Sequence, residues 1–174
     1  MKLVLIGYRG TGKTEVGKGV AARLGLRYIG MDAEIERRAG MDIPEIVRRH
    51  GWEHFRDLES QLAAELGDED NCVIDTGGGV VVREENVRHL RKNALVVWLK
   101  AEPETIARRI RSDTRRPSLT GNKSFIDEIE EVLHERLPLY RAAADISIDT
   151  EEKSVEEVIG RVVELFRTHA ATTE

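Results

Sequence analysis

Residues 7–14, GYRGTGKT, constrain this chain more than any other stretch. They follow Lys2-Leu3-Val4-Leu5-Ile6, an almost unbroken apolar run ending at a glycine, as a strand buried on both faces does in a parallel sheet. Gly7, Gly12, Lys13 and Thr14 satisfy G-x-x-x-x-G-K-[ST], and each letter has a mechanical reason. Glycines, Gly10 among them, let the backbone curl until successive N–H groups face one phosphate. The helix that opens near Gly12 adds the positive end of its dipole. Lys13 reaches the outer phosphates as a point charge, and the Thr14 hydroxyl is placed to ligate Mg²⁺. A strand before and a helix after are what separate this loop from a chance glycine-rich turn. The chain is expected to bind a nucleoside triphosphate.

The sequence has 174 residues, which suits one domain with a substantial core. A net charge of -5 argues against a general nucleic-acid binder, and no basic tract suggests a membrane surface. Cys72 is the only cysteine, so an internal disulfide is impossible, and its apolar neighbours mark it as core filler in a reducing compartment. With a strand starting at Lys2 there is no room for a signal or transit peptide, and no apolar run has membrane-spanning length. A cytoplasmic protein is expected.

Along the chain, apolar periods switch repeatedly between strand and helix. Val16, Val20, Ala21 and Leu24 trace a helix that Gly25 should cap. A brief second strand at 26–29 precedes Asp32, and a helix over 33–39 stops at Gly40. Asp42 caps the next helix with Pro44 in its first turn, His50-Gly51 breaks it, and Trp52, Phe55, Leu58, Glu59, Leu62 and Leu66 trace another. Strands follow at 72–74, 94–99 and 146–148, with helices at 84–92, 103–111, 125–140 and 154–167. Pro138 should kink or interrupt the third of these. Residues 112–123 are polar and basic without an apolar period, a loop long enough to be functional. This alternation predicts a three-layer α/β/α domain over 1–168 with about five parallel strands, ligands at their carboxyl ends, and a frayed tail at 169–174.

Three further constellations narrow the chemistry. Asp32 follows strand two, where its carboxylate could take a proton from an acceptor hydroxyl, or simply cap a helix. Arg56 and Arg136 stand beside aromatic or apolar residues, which suits a bidentate grip on a carboxylate; ordinary ion pairs, such as Arg56 with Glu59, are the alternative. Gly77-Gly78-Gly79 comes directly after a buried strand and lets a ligand approach the main chain, and Asp75 fits the strand-then-Asp pattern that helps hold Mg²⁺ in many phosphate-loop enzymes.

Taken together and in this order, GYRGTGKT, MDAEIERRAG, GWEHFRDLE, DTGGGVV, RRPSL and RLPLYRAAAD resemble the shikimate kinase family over nearly the whole chain. The resemblance implies a phosphate-loop kinase fold with a mobile lid at about 112–123. It implies transfer of the ATP γ-phosphoryl group to the 3-hydroxyl of shikimate, in aromatic amino acid biosynthesis. It also implies site residues. Gly10, Thr11, Gly12, Lys13, Thr14 and Glu15 would bind the ATP phosphates, with Thr14 on Mg²⁺ and Arg109 near the adenine. Asp32 would bind the acceptor hydroxyls and act as base, Arg56 and Arg136 would grip the carboxylate, and Gly77, Gly78 and Gly79 would line the ring. Arg116 would swing in with the lid against the transferring group. Lys13, Asp32 and Arg116 are the expected catalytic residues, and a monomer is expected.

One departure stands out. The family commonly carries two aspartates separated by one residue here; Asp32 is the second, and Gly30 stands where the first would be. Asp75 occupies a position that is often serine or another small residue, so it is expected to supply the missing carboxylate to the metal through water. Rival expectations are a related kinase for another acid such as gluconate, a guanine-nucleotide switch, and an inactive binding module. The switch has Asp75-Thr76-Gly77-Gly78 and Asn122-Lys123 in its favour, but Phe125 stands where a guanine-reading Asp is required.

Overall fold

The computed structural model describes residues 1–110 and 125–173. Five parallel strands form one sheet in the order β2-β3-β1-β4-β5: β1 (Lys2–Ile6), β2 (Arg27–Gly30), β3 (Cys72–Asp75), β4 (Ala94–Lys100) and β5 (Ile146–Asp149). The central strand is β1. All five residues of β1 are buried, and their side chains alternate between the two faces. Leu3 and Leu5 pack with Val16 and Val20 of α1 (Lys13–Leu24) and with Val158, Val162 and Phe166 of α7 (Val155–Thr173). Val4 and Ile6 face the other way, toward α2 (Met31–Ala39), α3 (Ile43–Leu66) and α6 (Phe125–Ala143), where Met31, Phe55, Leu62 and Tyr140 are buried. These two cores are the outer halves of the α/β/α sandwich. Lys2 is the exception in β1: its ammonium is buried and donates to the carbonyls of Gly67 (2.8 Å) and Lys92, so burial lowers its pKa without leaving the charge unbonded. Cys72 is a fully buried thiol in β3, as core filler should be.

A third, smaller cluster joins Tyr8 to Ile106, Ala107 and Ile110 of α5 (Pro103–Ile110) and to Ile129, Val132 and Leu133 of α6. It braces the loop after β1 from the side. The remaining helix, α4 (Glu84–Leu90), follows a single 3₁₀ turn at Val80–Val82.

Local signals placed most elements within a residue or two. Gly25 ends α1 in the left-handed conformation and Asp42 accepts the Glu45 N–H (2.9 Å) as N-cap of α3. The break expected at His50-Gly51 is a kink inside one continuous element, with Gly51 at φ 82°. Two expectations fail. α6 runs through Pro138 without interruption; the proline is exposed, so the carbonyl it frees one turn back can be met by water. The tail expected to fray is helical through Thr173, where Ala170 and Ala171 favour helix.

The chain can leave β1 only through glycine. Gly7 has φ 144°, and a Cβ there would stand 2.4 Å from the Leu99 carbonyl oxygen in β4. Both constraints involve main chain that cannot move aside. Gly7→Ala is expected to lose at least about 2 kcal/mol of stability, read from urea unfolding curves; an unchanged midpoint would show that the turn accepts a side chain.

Candidate active site

The loop of residues 7–12 closes on itself. The Thr11 hydroxyl donates to the Tyr8 carbonyl (2.8 Å), and the buried Lys13 ammonium donates to the carbonyls of Gly7 (2.9 Å) and Tyr8 (3.0 Å). Gly10 and Gly12 adopt positive φ of 79° and 91°, and α1 begins at Lys13. This leaves loop amides and a helix N-terminus facing a groove of about 650 Å³. Gly10, Thr11, Gly12, Lys13, Thr14 and Glu15 all line it, as does Arg109 of α5, whose guanidinium donates to the Gly10 carbonyl (3.3 Å) and to Thr150 Oγ1 (3.1 Å). Every expected nucleotide-site residue among those described therefore sits on one groove.

Beside it lies a narrower cavity of about 50 Å³. Asp32, Arg56, Gly77, Gly78, Gly79 and Arg136 line it together. Asp32 is the second residue of α2, in its first turn; the cap position is Gly30, not Asp32. Arg56 lies over the rings of Phe55 (5.3 Å) and Trp52 (5.5 Å) and donates to Glu59 (2.7 Å). Arg136 lies over the Tyr8 ring (6.0 Å) and donates to the Gly78 carbonyl (3.2 Å). Two largely buried guanidiniums beside aromatic rings and an acid-lined glycine turn have the chemistry to take an anion that also carries hydroxyls.

The glycines are needed because other groups use their space. A Cβ on Gly77 would stand 2.7 Å from Asp32 Oδ1 and 2.8 Å from Glu59 Oε1, and one on Gly79 would overlap the Arg56 guanidinium. Gly78 is fixed from behind: its carbonyl also accepts from the Tyr140 hydroxyl, and Tyr140 stacks on Trp98 at 5.6 Å. Burial raises the Tyr140 hydroxyl to about 12, so it remains a donor.

Asp75 ends β3 and is nearly buried. It accepts from the Thr14 hydroxyl (2.7 Å) and the Tyr28 hydroxyl (2.9 Å) on the same oxygen. A hydroxyl and a carboxylate at the mouth of a phosphate groove are the hard oxygen donors that a divalent cation shared with phosphates requires. Among the described residues no group of three or more His, Cys, Asp or Glu side chains stands together to hold a metal ion. Arg116 and the lid expected at 112–123 lie outside the described residues.

The chain matches the shikimate kinase family model over residues 9–167. It is 43% identical over 164 residues to a shikimate kinase of Caldanaerobacter subterraneus subsp. tengcongensis, covering 94% of this chain and 95% of that one. With a shikimate kinase of Dehalococcoides mccartyi it shares 37% over 171 residues, covering 98% and 96%. The chain belongs to the shikimate kinase family. Its fold agrees: a shikimate kinase structure from Acinetobacter baumannii in complex with shikimate superposes with a TM-score of 0.91 at 31% identity, covering 97% of this chain and 93% of that one. Membership brings ATP and a divalent metal with it, and it sets aside the gluconate, switch and inactive-module alternatives. Among the described residues no helix is long and apolar enough to cross a membrane.

Several contributors were not singled out from the sequence. Tyr28 lies in no motif, and Arg9 and Tyr140 lie inside GYRGTGKT and RLPLYRAAAD without a role being read for either. Glu59 gave a signal: it shares the helical spacing of Phe55, Leu62 and Leu66, so it had to point inward. It is fully buried, and burial is the main cause that raises its pKa, with the nearby Asp32 charge adding to this and Arg56 opposing it. A carboxyl raised on folding holds its proton more tightly in the native state, so its stabilising share is complete below the ordinary carboxyl range and fades as pH climbs through the raised value. Glu59→Gln has no such proton to lose. Thermal melts across acid to neutral pH should therefore show the wild type losing ground to Glu59→Gln as pH rises; a constant gap would contradict the raised value.

Proposed function

We propose that this chain, acting as a cytoplasmic monomer, uses the groove and the adjoining cavity to transfer the γ-phosphoryl group of Mg·ATP to the 3-hydroxyl of shikimate, yielding ADP and shikimate 3-phosphate for aromatic amino acid biosynthesis. The observation that carries the role assignment is a shared wall. Asp32 and Gly78 line both the phosphate groove and the arginine-flanked cavity. A hydroxyl bound at that wall has a base on its own side and the phosphates on the other.

In this scheme Arg56 and Arg136 take the shikimate carboxylate, and the Gly77–Gly79 main chain and Asp32 take the hydroxyls. Asp32 orients the 3-hydroxyl and accepts its proton while the oxygen bonds to the γ-phosphorus and the bridging P–O bond to ADP breaks. Lys13 and the loop amides hold the phosphates, Arg109 flanks the adenine, and Arg116 offsets charge on the transferring group when the lid closes over it. Mg²⁺ would sit at Thr14, with Asp75 bound to it through water, and would supply positive charge between the phosphates. Gly30 supports this placement of the carboxylate. It is the register partner of Asp75 on the neighbouring strand, and a Cβ on it would stand 3.1 Å from the Tyr28 hydroxyl that bonds Asp75.

ADP release in a coupled assay should require shikimate and Mg²⁺, with gluconate giving no turnover; equal turnover on gluconate would refute the acceptor. Arg136→Ala should mainly raise KM for shikimate, whereas Arg116→Ala should lower kcat about a hundredfold. The reverse pattern would exchange the two roles. For Asp75→Asn, the Mg²⁺ concentration that half-saturates ADP binding should rise about tenfold; an unchanged requirement would remove Asp75 from the metal's surroundings.

A further inference from the structure

A third described residue lines both the groove and the cavity, and it is a cation: Arg9. The scheme above gives roles to the other two, Asp32 and Gly78, and none to Arg9. It occupies the third position of the phosphate loop, and its backbone nitrogen would stand 3.2 Å from a Cβ on Gly78, so it is built against the glycine triplet. Its side chain is 13% exposed and lies 3.8 Å from the carboxylate of Glu128, in the first turn of α6, which is 4% exposed. At that distance the contact is a charge pairing, longer than a hydrogen bond. Glu128 thus offsets the cost of keeping a guanidinium out of water, and the guanidinium also lies over the Tyr8 ring at 5.9 Å.

Position separates Arg9 from the other two arginines of the acceptor cavity. Arg56 and Arg136 line the cavity only, while Arg9 also lines the phosphate groove. Arg9 is thus the arginine whose residue borders both spaces, and its side chain carries the forked N–H donors that suit a group passing from one to the other. Charge on a transferring phosphoryl group is spread over its three equatorial oxygens, and a guanidinium can meet two of them at once.

Resting on the shikimate kinase scheme above, we propose that Arg9 is a further catalytic residue, which contacts the phosphoryl group as it crosses from ATP to the acceptor and then holds the phosphate of the product. The contact is made to the group in flight and to the product, and not to the acceptor carboxylate. Its loss should therefore appear in turnover and in product affinity, with acceptor binding spared.

The test compares wild type, Arg9→Met and Arg9→Lys in steady-state kinetics, with Kd values for shikimate, ADP and shikimate 3-phosphate and a thermal melt for each. For Arg9→Met, kcat should fall about a hundredfold and affinity for shikimate 3-phosphate about tenfold, while the shikimate and ADP Kd values stay within about threefold. Arg9→Lys should recover part of the product affinity, because it keeps the charge and loses the fork. A rise in shikimate Kd with kcat maintained would make Arg9 a carboxylate grip and overturn the proposal. So would unchanged kcat and product affinity. If Arg9→Met melts early, the Arg9→Lys product affinity decides: equal to wild type, it refutes the contact. A wild type inactive on shikimate would sink the kinase scheme itself; an active wild type with an unaffected Arg9 variant sinks only this inference.

Discussion

Everything in the site is referred to one strand. β1 is buried on both faces and paired in parallel on both edges, so the loop that leaves its carboxyl end has a fixed origin. The neighbouring strands then fix the loop's surroundings. The Thr76 hydroxyl and N–H both donate to the Leu5 carbonyl (2.9 and 3.2 Å), which ties the start of the glycine triplet to the end of β1. On the other edge the Leu99 carbonyl of β4 presses against Gly7. A phosphate cradle made of main-chain amides has no side chains to adjust, so its accuracy comes from the rigidity of the sheet beneath it.

Polar groups were recruited to the acceptor side at a cost that the fold offsets locally. Glu59 and Arg56 are nearly or fully removed from water, which is unfavourable for either alone. Their pairing is short, and the aromatic faces of Trp52 and Phe55 cover the arginine without competing for its donors. Arg136 repeats the device on the opposite wall with Tyr8. The glycine triplet is the counterpart of this crowding: with Asp32, Glu59 and Arg56 pressed against Gly77 and Gly79, any side chain there would displace a functional group before it met the core.

What could be read from the sequence followed the range of the interaction. The phosphate loop, the Asp42 cap and the Gly25 stop are local, and local patterns carry them. Arg56 and Arg136 were legible by their apolar neighbours, yet nothing in the sequence showed that Arg136 and Tyr140 converge on the Gly78 carbonyl, 58 and 62 residues away. The same holds for Tyr28 and Asp75, which are 47 residues apart. Pro138 misled because its effect depends on which way the ring faces, a property of tertiary packing. The tail misled because Ala170 and Ala171 carry helix propensity without the apolar period by which a helix is read.

The parallel register explains how a carboxylate can change strands without leaving its site. Gly30 and Asp75 are direct partners at the carboxyl ends of β2 and β3, so a carboxylate on either strand reaches the same edge of the phosphate groove. Moving the acid to β3 leaves room beside Gly30, and the Tyr28 hydroxyl lies against that room while it bonds Asp75. Desolvation by burial, with the Asp75 charge adding to it, raises the Tyr28 pKa, so the hydroxyl keeps its proton and acts as a donor to Asp75. With Thr14 donating to the same oxygen, the carboxylate is oriented by two hydroxyls from two other elements. A side chain at position 30 would crowd the Tyr28 hydroxyl at 3.1 Å, so what β2 carries at its end bears directly on how Asp75 of β3 is held.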